Sequence, residues 1–263
     1  MFSDPAFRRS LSCLELTGAV VDALRSTLEH DALAALLELI TREMGFRHYA
    51  LIHHADLRTP RDHLVDLKDY PPAITERLFE QRRYRRDPVI RGCIFADSAF
   101  LWSDLPRLIS LDRHDRASFE LGAREGLNEG ITVPYVRLGR RMGSCTFAGT
   151  DSPDEAHRFL GAAQMIGIFA FQAALNLIPS ERPEVLPAAR LHPRPRDCVV
   201  LAGRGYSNKE IARELQLAPR TVDGYLTEAR RLFGAHDRTE LVVSAVLAGE
   251  VELHELRRGP VQG

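Results

Sequence analysis

Lysine, cysteine and long apolar runs are all scarce in this 263-residue chain. Its four cysteines, Cys13, Cys93, Cys145 and Cys198, lack the close pairs that a zinc site or a dithiol motif needs. They read as reduced, mostly buried thiols, with neither a disulfide staple nor a metal implied. No apolar run of about eighteen residues occurs, and Asp4, Arg8, Arg9 and Glu15 interrupt the place where a signal peptide would keep its apolar core. A cytoplasmic protein without membrane association is expected. Catalytic signatures are missing too: G-x-S-x-G, H-E-x-x-H and G-x-x-x-x-G-K-S/T do not occur. Gly139-Arg140-Arg141-Met142-Gly143 reads as a strand turn rather than a phosphate loop. His53-His54 has no third ligand at a recognisable spacing and reads as strand surface. Neither an enzyme nor a cofactor is expected.

What is present is ordinary globular composition, 44% apolar and 27% charged, in a chain long enough for two unequal domains. Pro179, Pro183, Pro187, Pro193 and Pro195 are spaced so as to disrupt helices and central strands alike. They place a linker at 179–191 between a first domain, 1–178, and a second, 192–263. Charge divides along the same line. Residues 190–263 hold twelve Lys+Arg against ten Asp+Glu, a net of +2, and residues 1–189 hold 23 against 26, a net of −3. That asymmetry favours a nucleic-acid partner for the tail.

The first domain mixes helices and strands. Leu33, Leu36, Leu37 and Ile40 share one face of a helix over 31–44 that stops at Gly45. Helical spacing recurs over 72–82 and 113–125, and strands are expected at 48–55, 63–68, 131–137 and 142–148. Ser152 and Glu155 form an S-x-x-E capping box with Pro153 between them, which predicts a closing helix from there to about Leu177. The fold class is α+β: an α/β/α sandwich with one antiparallel sheet, then an all-α domain.

In that second domain, a helix over 195–202 ends at Gly203 and Gly205. Ser207 with Glu210 caps a helix over 208–215, and after the turn 216–218 Pro219 opens a third over 220–232. Val222, Leu226, Ala229 and Phe233 share one face of the third helix, and Arg220, Asp223, Gly224, Thr227, Arg230 and Arg231 the other. Two helices across a short turn, the second apolar on one face and polar on the other, make a helix-turn-helix; a plain hairpin with a solvated charged face is the alternative. Arg220, Thr221, Asp223, Gly224 and Thr227 lie nearest base edges. Arg230, Arg231, Lys209, Arg213 and the helix start at Ser207 lie nearest phosphates.

The segment G-Y-S-N-K-E-I-A-R-E-L followed by P-R-T-V-D-G-Y-L, Gly205–Leu215 and Pro219–Leu226, resembles the C-terminal helix-turn-helix of the LuxR family of transcription factors. The resemblance covers roughly 194–248. Asp197 stands where that family usually has Glu, and Ala218 where Ser or Thr often caps the recognition helix. It implies that the third helix reads bases, and that a fourth, Asp237–Leu247 with Leu241, Val242, Ala245 and Val246, dimerises the domain on a pseudo-palindromic duplex.

Residues 1–189 contain only Lys68 and no acidic cluster with alternating parallel strands, which disfavours a phosphorylated receiver. Tyr70-Pro71, Asp87-Pro88-Val89, Phe100-Leu101-Trp102-Ser103 and Gly130-Ile131-Thr132-Val133-Pro134 resemble instead the autoinducer-binding domain of receptors for N-acyl homoserine lactones. The resemblance implies that Asp87 accepts a hydrogen bond from a ligand amide N–H and that Trp102 walls the head-group end. Tyr70, Val89, Ile90, Phe119 and Thr146 would line the rest, with Thr146 able to bond the amide carbonyl. Where the family usually has a Trp for the lactone carbonyl and a Tyr for the amide carbonyl, this chain has Ile74 and Leu78. The signal is then an acyl homoserine lactone or a related non-lactone small molecule. The alternatives are an ordinary Asp-Pro loop in which Arg85, Arg86 or Arg91 satisfies Asp87, a lone core tryptophan at 102, and a constitutive homodimer whose first domain binds nothing.

Overall fold

The computed structural model describes residues 17–54, 64–80, 86–178 and 190–257. The chain divides into two compact units, Met1–Pro183 and Glu184–Gly263. Nearly all of the expected linker, 179–189, lies outside the described residues.

The first unit is helical at 17–26 and continues with α1 (His30–Glu43), whose Leu33, Leu37 and Ile40 are buried. Gly45, at φ 77°, turns the chain in a conformation that costs glycine little. Then come β1 (Phe46–His53), β2 (Asp66–Lys68) and α2 (Pro72–Thr75), which widens into a π-turn over Glu76–Glu80. There follow α3 (Pro88–Gly92), β3 (Phe100–Leu101), a 3-10 turn Trp102–Asp104, α4 (Leu105–Leu108) and α5 (Arg113–Arg124). β4 (Gly130–Tyr135), β5 (Gly143–Thr150) and α6 (Leu160–Asn176) complete it.

The strands form one five-stranded antiparallel sheet in the order β2-β1-β5-β4-β3. Strand alternation sorts its side chains. Tyr49, Leu51, Ile131, Val133, Cys145 and Phe147 join the core beneath α1 and α6. Ala50, Ile52, Ser144 and Thr146 turn to the opposite face, beneath α2 to α5. Helices cover both faces, so the α+β sandwich stands. By length and composition Pro153–Asn176 could cross a membrane, but Ala163, Ile166, Ala170 and Phe171 of that stretch are buried in the core.

Several expectations are corrected. The helix expected from Ser152 begins as a 3-10 turn, Pro153–Phe159, and α6 starts only at Leu160. The Glu155 N–H, which the capping box would give to the Ser152 hydroxyl, donates instead to the Ser152 carbonyl at 3.0 Å, as 3-10 geometry requires. The helix expected over 72–82 is α-helical only to Thr75; 81–82 lie outside the described residues. His53 is not strand surface, because α6 covers its face of the sheet and buries it, and His54, one residue past β1, is half-buried. His53 meets the Phe171 ring at 5.2 Å, and its Nδ1 accepts the Val65 N–H at 3.0 Å. β3, only two residues long, had no periodicity to betray it.

The second unit packs α7 (Pro193–Gly203), α8 (Asn208–Glu214), α9 (Pro219–Phe233) and α10 (Arg238–Leu247) around Val199, Ile211, Val222, Leu226, Ala229 and Leu241. The Ser207–Glu210 capping box forms as expected, and Ala218 gives α9 no side-chain cap. A final 3-10 turn, Leu253–Leu256, is tied to α7 by Arg196, whose Nη2 bonds the Glu255 carboxylate at 2.7 and 2.9 Å.

Candidate ligand cavity and nucleic-acid surface

A cavity of about 80 Å³ lies between the sheet and α2 to α5. Tyr70, Ile74, Leu78, Asp87, Val89, Ile90, Trp102, Phe119 and Thr146 all line it, although they come from seven separate stretches of chain. Arg77, Ser118 and Ser144 line it as well, and sequence reasoning missed them.

Asp87 is held by the helix it starts. Its Oδ1 accepts the Val89 and Ile90 N–H groups at 3.0 and 3.1 Å, and Pro88 occupies the first helical position. No described residue bonds Oδ2. Enclosure raises the carboxyl from 3.8 to about 6, opposed by those two amides and by the positive charge of Arg77. Arg91 does not satisfy Asp87, because its Nη1 bonds both oxygens of Asp115 at 3.0 Å. Arg85 lies outside the described residues.

Trp102 is positioned from three sides. Its ring lies over Gly130, where a Cβ would come within 2.7 Å of the indole, and meets Phe119 at a centroid distance of 6.2 Å. Its backbone N–H, with those of Ser103 and Gly130, donates to the buried Glu129 carboxylate at 2.8 to 3.4 Å. The indole Nε1 donates to Thr132 Oγ1 at 3.0 Å, which lies 3.0 Å from Thr146 Oγ1. Run from Thr132 to Thr146, this chain uses the Thr132 proton and leaves that of Thr146 for the Tyr70 phenol oxygen; the reverse order leaves the Thr132 proton without a described acceptor. The Thr146 hydroxyl also bonds the Tyr70 phenol, whose pKa burial drives upward, so Tyr70 stays neutral.

Ile74 is buried and, with Leu78, gives this end of the wall no hydrogen-bond donor. Arg77 lies between them in sequence, and its Nη2 donates to Ser118 Oγ at 2.8 Å. Behind Ser144 stands His54, its Nε2 2.9 Å from the Ser144 hydroxyl and its Nδ1 buried without a partner. Burial lowers its pKa to about 4, so the imidazole is neutral at pH 7.

The second unit presents α8 and α9 as expected of a helix-turn-helix. Ser207, Lys209, Arg213, Arg220, Asp223, Gly224 and Arg231 are exposed; Thr221, Thr227 and Arg230 are half-buried. The Ser207 hydroxyl is engaged with Glu210 in the cap, leaving the helix start as its means of meeting a phosphate. Arg230 Nη2 donates to Thr227 Oγ1 at 3.0 Å. Asn208 and Arg238, both missed in the sequence, form a brace. Arg238 Nη1 donates to Asn208 Oδ1 at 3.0 Å, and Asn208 Nδ2 donates to Asp223 Oδ1 at 3.3 Å. The dimer face expected on α10 is corrected: Leu241, Ala245 and Val246 are buried in this unit's own core, and Val243 and Leu247 are its exposed apolar residues.

The family described as autoinducer binding domain matches residues 29–174, and bacterial regulatory proteins, luxR family, matches residues 189–245. An HTH-type transcriptional regulator, y4qH, of Sinorhizobium fredii is 26% identical over 72% of this chain and 57% of its own length. The transcriptional activator protein VanR of Vibrio anguillarum is 25% identical over 84% of this chain and 92% of its own. The crystal structure of Escherichia coli SdiA shares the fold with a TM-score of 0.54 at 17% identity, covering 90% of this chain and 98% of that one. The chain belongs to the luxR family of bacterial regulatory proteins, and is a LuxR-type quorum-sensing transcriptional regulator with an autoinducer-binding domain ahead of its DNA-binding helices.

Proposed function

We propose that this regulator is ligand-responsive: its cavity takes an acyl homoserine lactone or a related amphipathic small molecule, and occupancy sets the DNA binding of α9. The carrying observation is the convergence of the nine expected residues on one cavity, with an Asp87 Oδ2 that no described residue bonds available to an amide N–H and the Thr146 and Tyr70 hydroxyls beside it. A buried charged acceptor facing an amide donor contributes about 1.5 to 3 kcal/mol, enough to orient a ligand. At about 80 Å³ the cavity must open to admit an acyl chain of any length.

The regulator acts in the cytoplasm as a homodimer on a pseudo-palindromic duplex of about twenty base pairs, one α9 in each half-site. Met165, exposed, and the half-buried Ile168 and Phe169 on α6 give the first unit an apolar surface suited to a second copy. Domains of 1–178 and 192–263, joined by 179–191, suit this division of work. The test is mass spectrometry of small molecules co-extracted with the purified protein, followed by DNA-binding titrations with and without them. A DNA-binding dimer indifferent to every bound or added acyl compound would instead be constitutive.

A further inference from the structure

We infer that the head group this cavity selects is anionic, so that its ligand is an N-acyl amino acid or the ring-opened acid of an acyl lactone rather than the neutral lactone. The inference rests on the ligand-binding reading above and narrows it.

The charged groups lining the cavity are Asp87 and Arg77. Asp87 is acceptor-only when ionised and needs a donor such as an amide N–H. Arg77 is its opposite: a guanidinium with five N–H donors, of which one bond is made among the described residues, to the neutral Ser118 hydroxyl. Among the described side chains, which do not include that of Glu80, no carboxylate lies within ion-pair distance of Arg77, and Arg91 is committed to Asp115. Ile74 and Leu78, its neighbours at this end of the cavity, offer no donor that would suit a lactone carbonyl. Arg77 acts on Asp87 through its charge without an ion pair between them among the described residues, so the half-buried guanidinium still has N–H donors to offer an anion. A carboxylate accepts two parallel N–H bonds from a guanidinium, whereas a lactone carbonyl has one oxygen to offer. An acyl amino acid carries an amide N–H and a carboxylate a few bonds apart, the donor and the anion that Asp87 and Arg77 respectively lack, with an acyl tail for the apolar wall.

The test is isothermal titration of the full-length protein with N-octanoyl-homoserine, its lactone and its neutral primary amide, on the wild type and on Arg77→Gln and Arg77→Lys. The wild type should bind the open acid about ten- to a hundredfold more tightly than either neutral compound, the scale of a charge-assisted hydrogen bond. Arg77→Gln should abolish that preference, and Arg77→Lys should keep part of it. A wild type that binds the lactone more tightly than the acid overturns the head-group inference and leaves the ligand-binding reading intact. A preference for the acid unchanged in a folded Arg77→Gln overturns the assignment to Arg77. The ranking on the wild type needs no variant to fold, and failure of all three compounds to bind overturns the inference together with the reading beneath it.

Discussion

The two units reach their functional surfaces by different routes. The DNA-binding surface is local: Arg220 to Arg231 lie on one helix, and its packing partners come from the three helices beside it in the chain. The cavity is assembled across the sheet. Thr132 and Thr146 meet only because β4 and β5 pair in that register, and Asp87, Trp102 and Phe119 arrive from three further elements. A local surface tolerates substitution one residue at a time, whereas an assembled cavity fails when any layer behind it shifts.

The largest effects should come from emptying either core. Phe147 and Ile211 are fully buried, one in each unit. Phe147→Ala should destabilise the first unit by about 3 to 5 kcal/mol and Ile211→Ala the second by about 2 to 5 kcal/mol. Followed by denaturation with unit-specific probes, the first change should abolish ligand binding and the second DNA binding. Because ligand occupancy is proposed to set DNA binding, Phe147→Ala can reach the DNA through the lost ligand, and it is loss of ligand binding from Ile211→Ala that would break the comparison.

Asp87→Asn should weaken ligand binding by about 1.5 to 3 kcal/mol, ten- to a hundredfold in titration. The same change should stabilise the free protein. The Asp87 pKa is raised from 3.8 to about 6 on folding, so its contribution is fully present below pH 3.8 and lost as pH rises through 6. At pH 7 the ionised carboxyl therefore costs roughly 2 to 3 kcal/mol, which Asn, still able to cap α3, avoids. Thermal unfolding should show the variant ahead at pH 7 and level with the wild type below pH 4; a variant less stable at pH 7 would contradict this.

Gly224 supplies a smaller effect of mixed sign. A Cβ there would meet nothing within 4 Å, so no packing explains a glycine inside α9. Gly224→Ala should stabilise the second unit by about 0.5 to 1 kcal/mol while weakening DNA binding, if the glycine lets the helix approach the duplex closely. Stabilisation with unchanged DNA affinity would show that the approach is not close there. The smallest effect belongs to Arg231→Ala, which should weaken all DNA sequences alike and lower the salt slope by about 1, whereas Thr227→Ala should alter site preference.

The same contrast governs what could be read from the sequence. α7 to α10 and α1 were legible because caps, glycines and apolar spacing act within a few residues: Ser207 with Glu210, Gly45 and Gly205 all do in the structure what their chemistry suggests. β4 and β5 were legible from their runs, but β3 and the π-turn have no periodic signature. The cavity wall was visible only through resemblance, since nothing local says that Thr146 and Asp87 face one space. Arg77 is one arginine among many until the fold turns it inward beside Ser118, its one clue being its position between Ile74 and Leu78. His53 misled because a strand residue's exposure depends on what covers its face of the sheet, here Phe171 of α6, which no local pattern reveals.

The proposed coupling of an acylated signal to DNA binding through Asp87 is read directly in the DNA affinity of the full-length protein titrated with N-octanoyl-homoserine and its lactone, wild type beside Asp87→Asn. The account predicts that at least one of these compounds shifts the wild-type affinity and that Asp87→Asn needs about ten- to a hundredfold more of it for the same shift. Wild-type affinity that no concentration of either compound alters, or a shift that Asp87→Asn leaves in place, would contradict it.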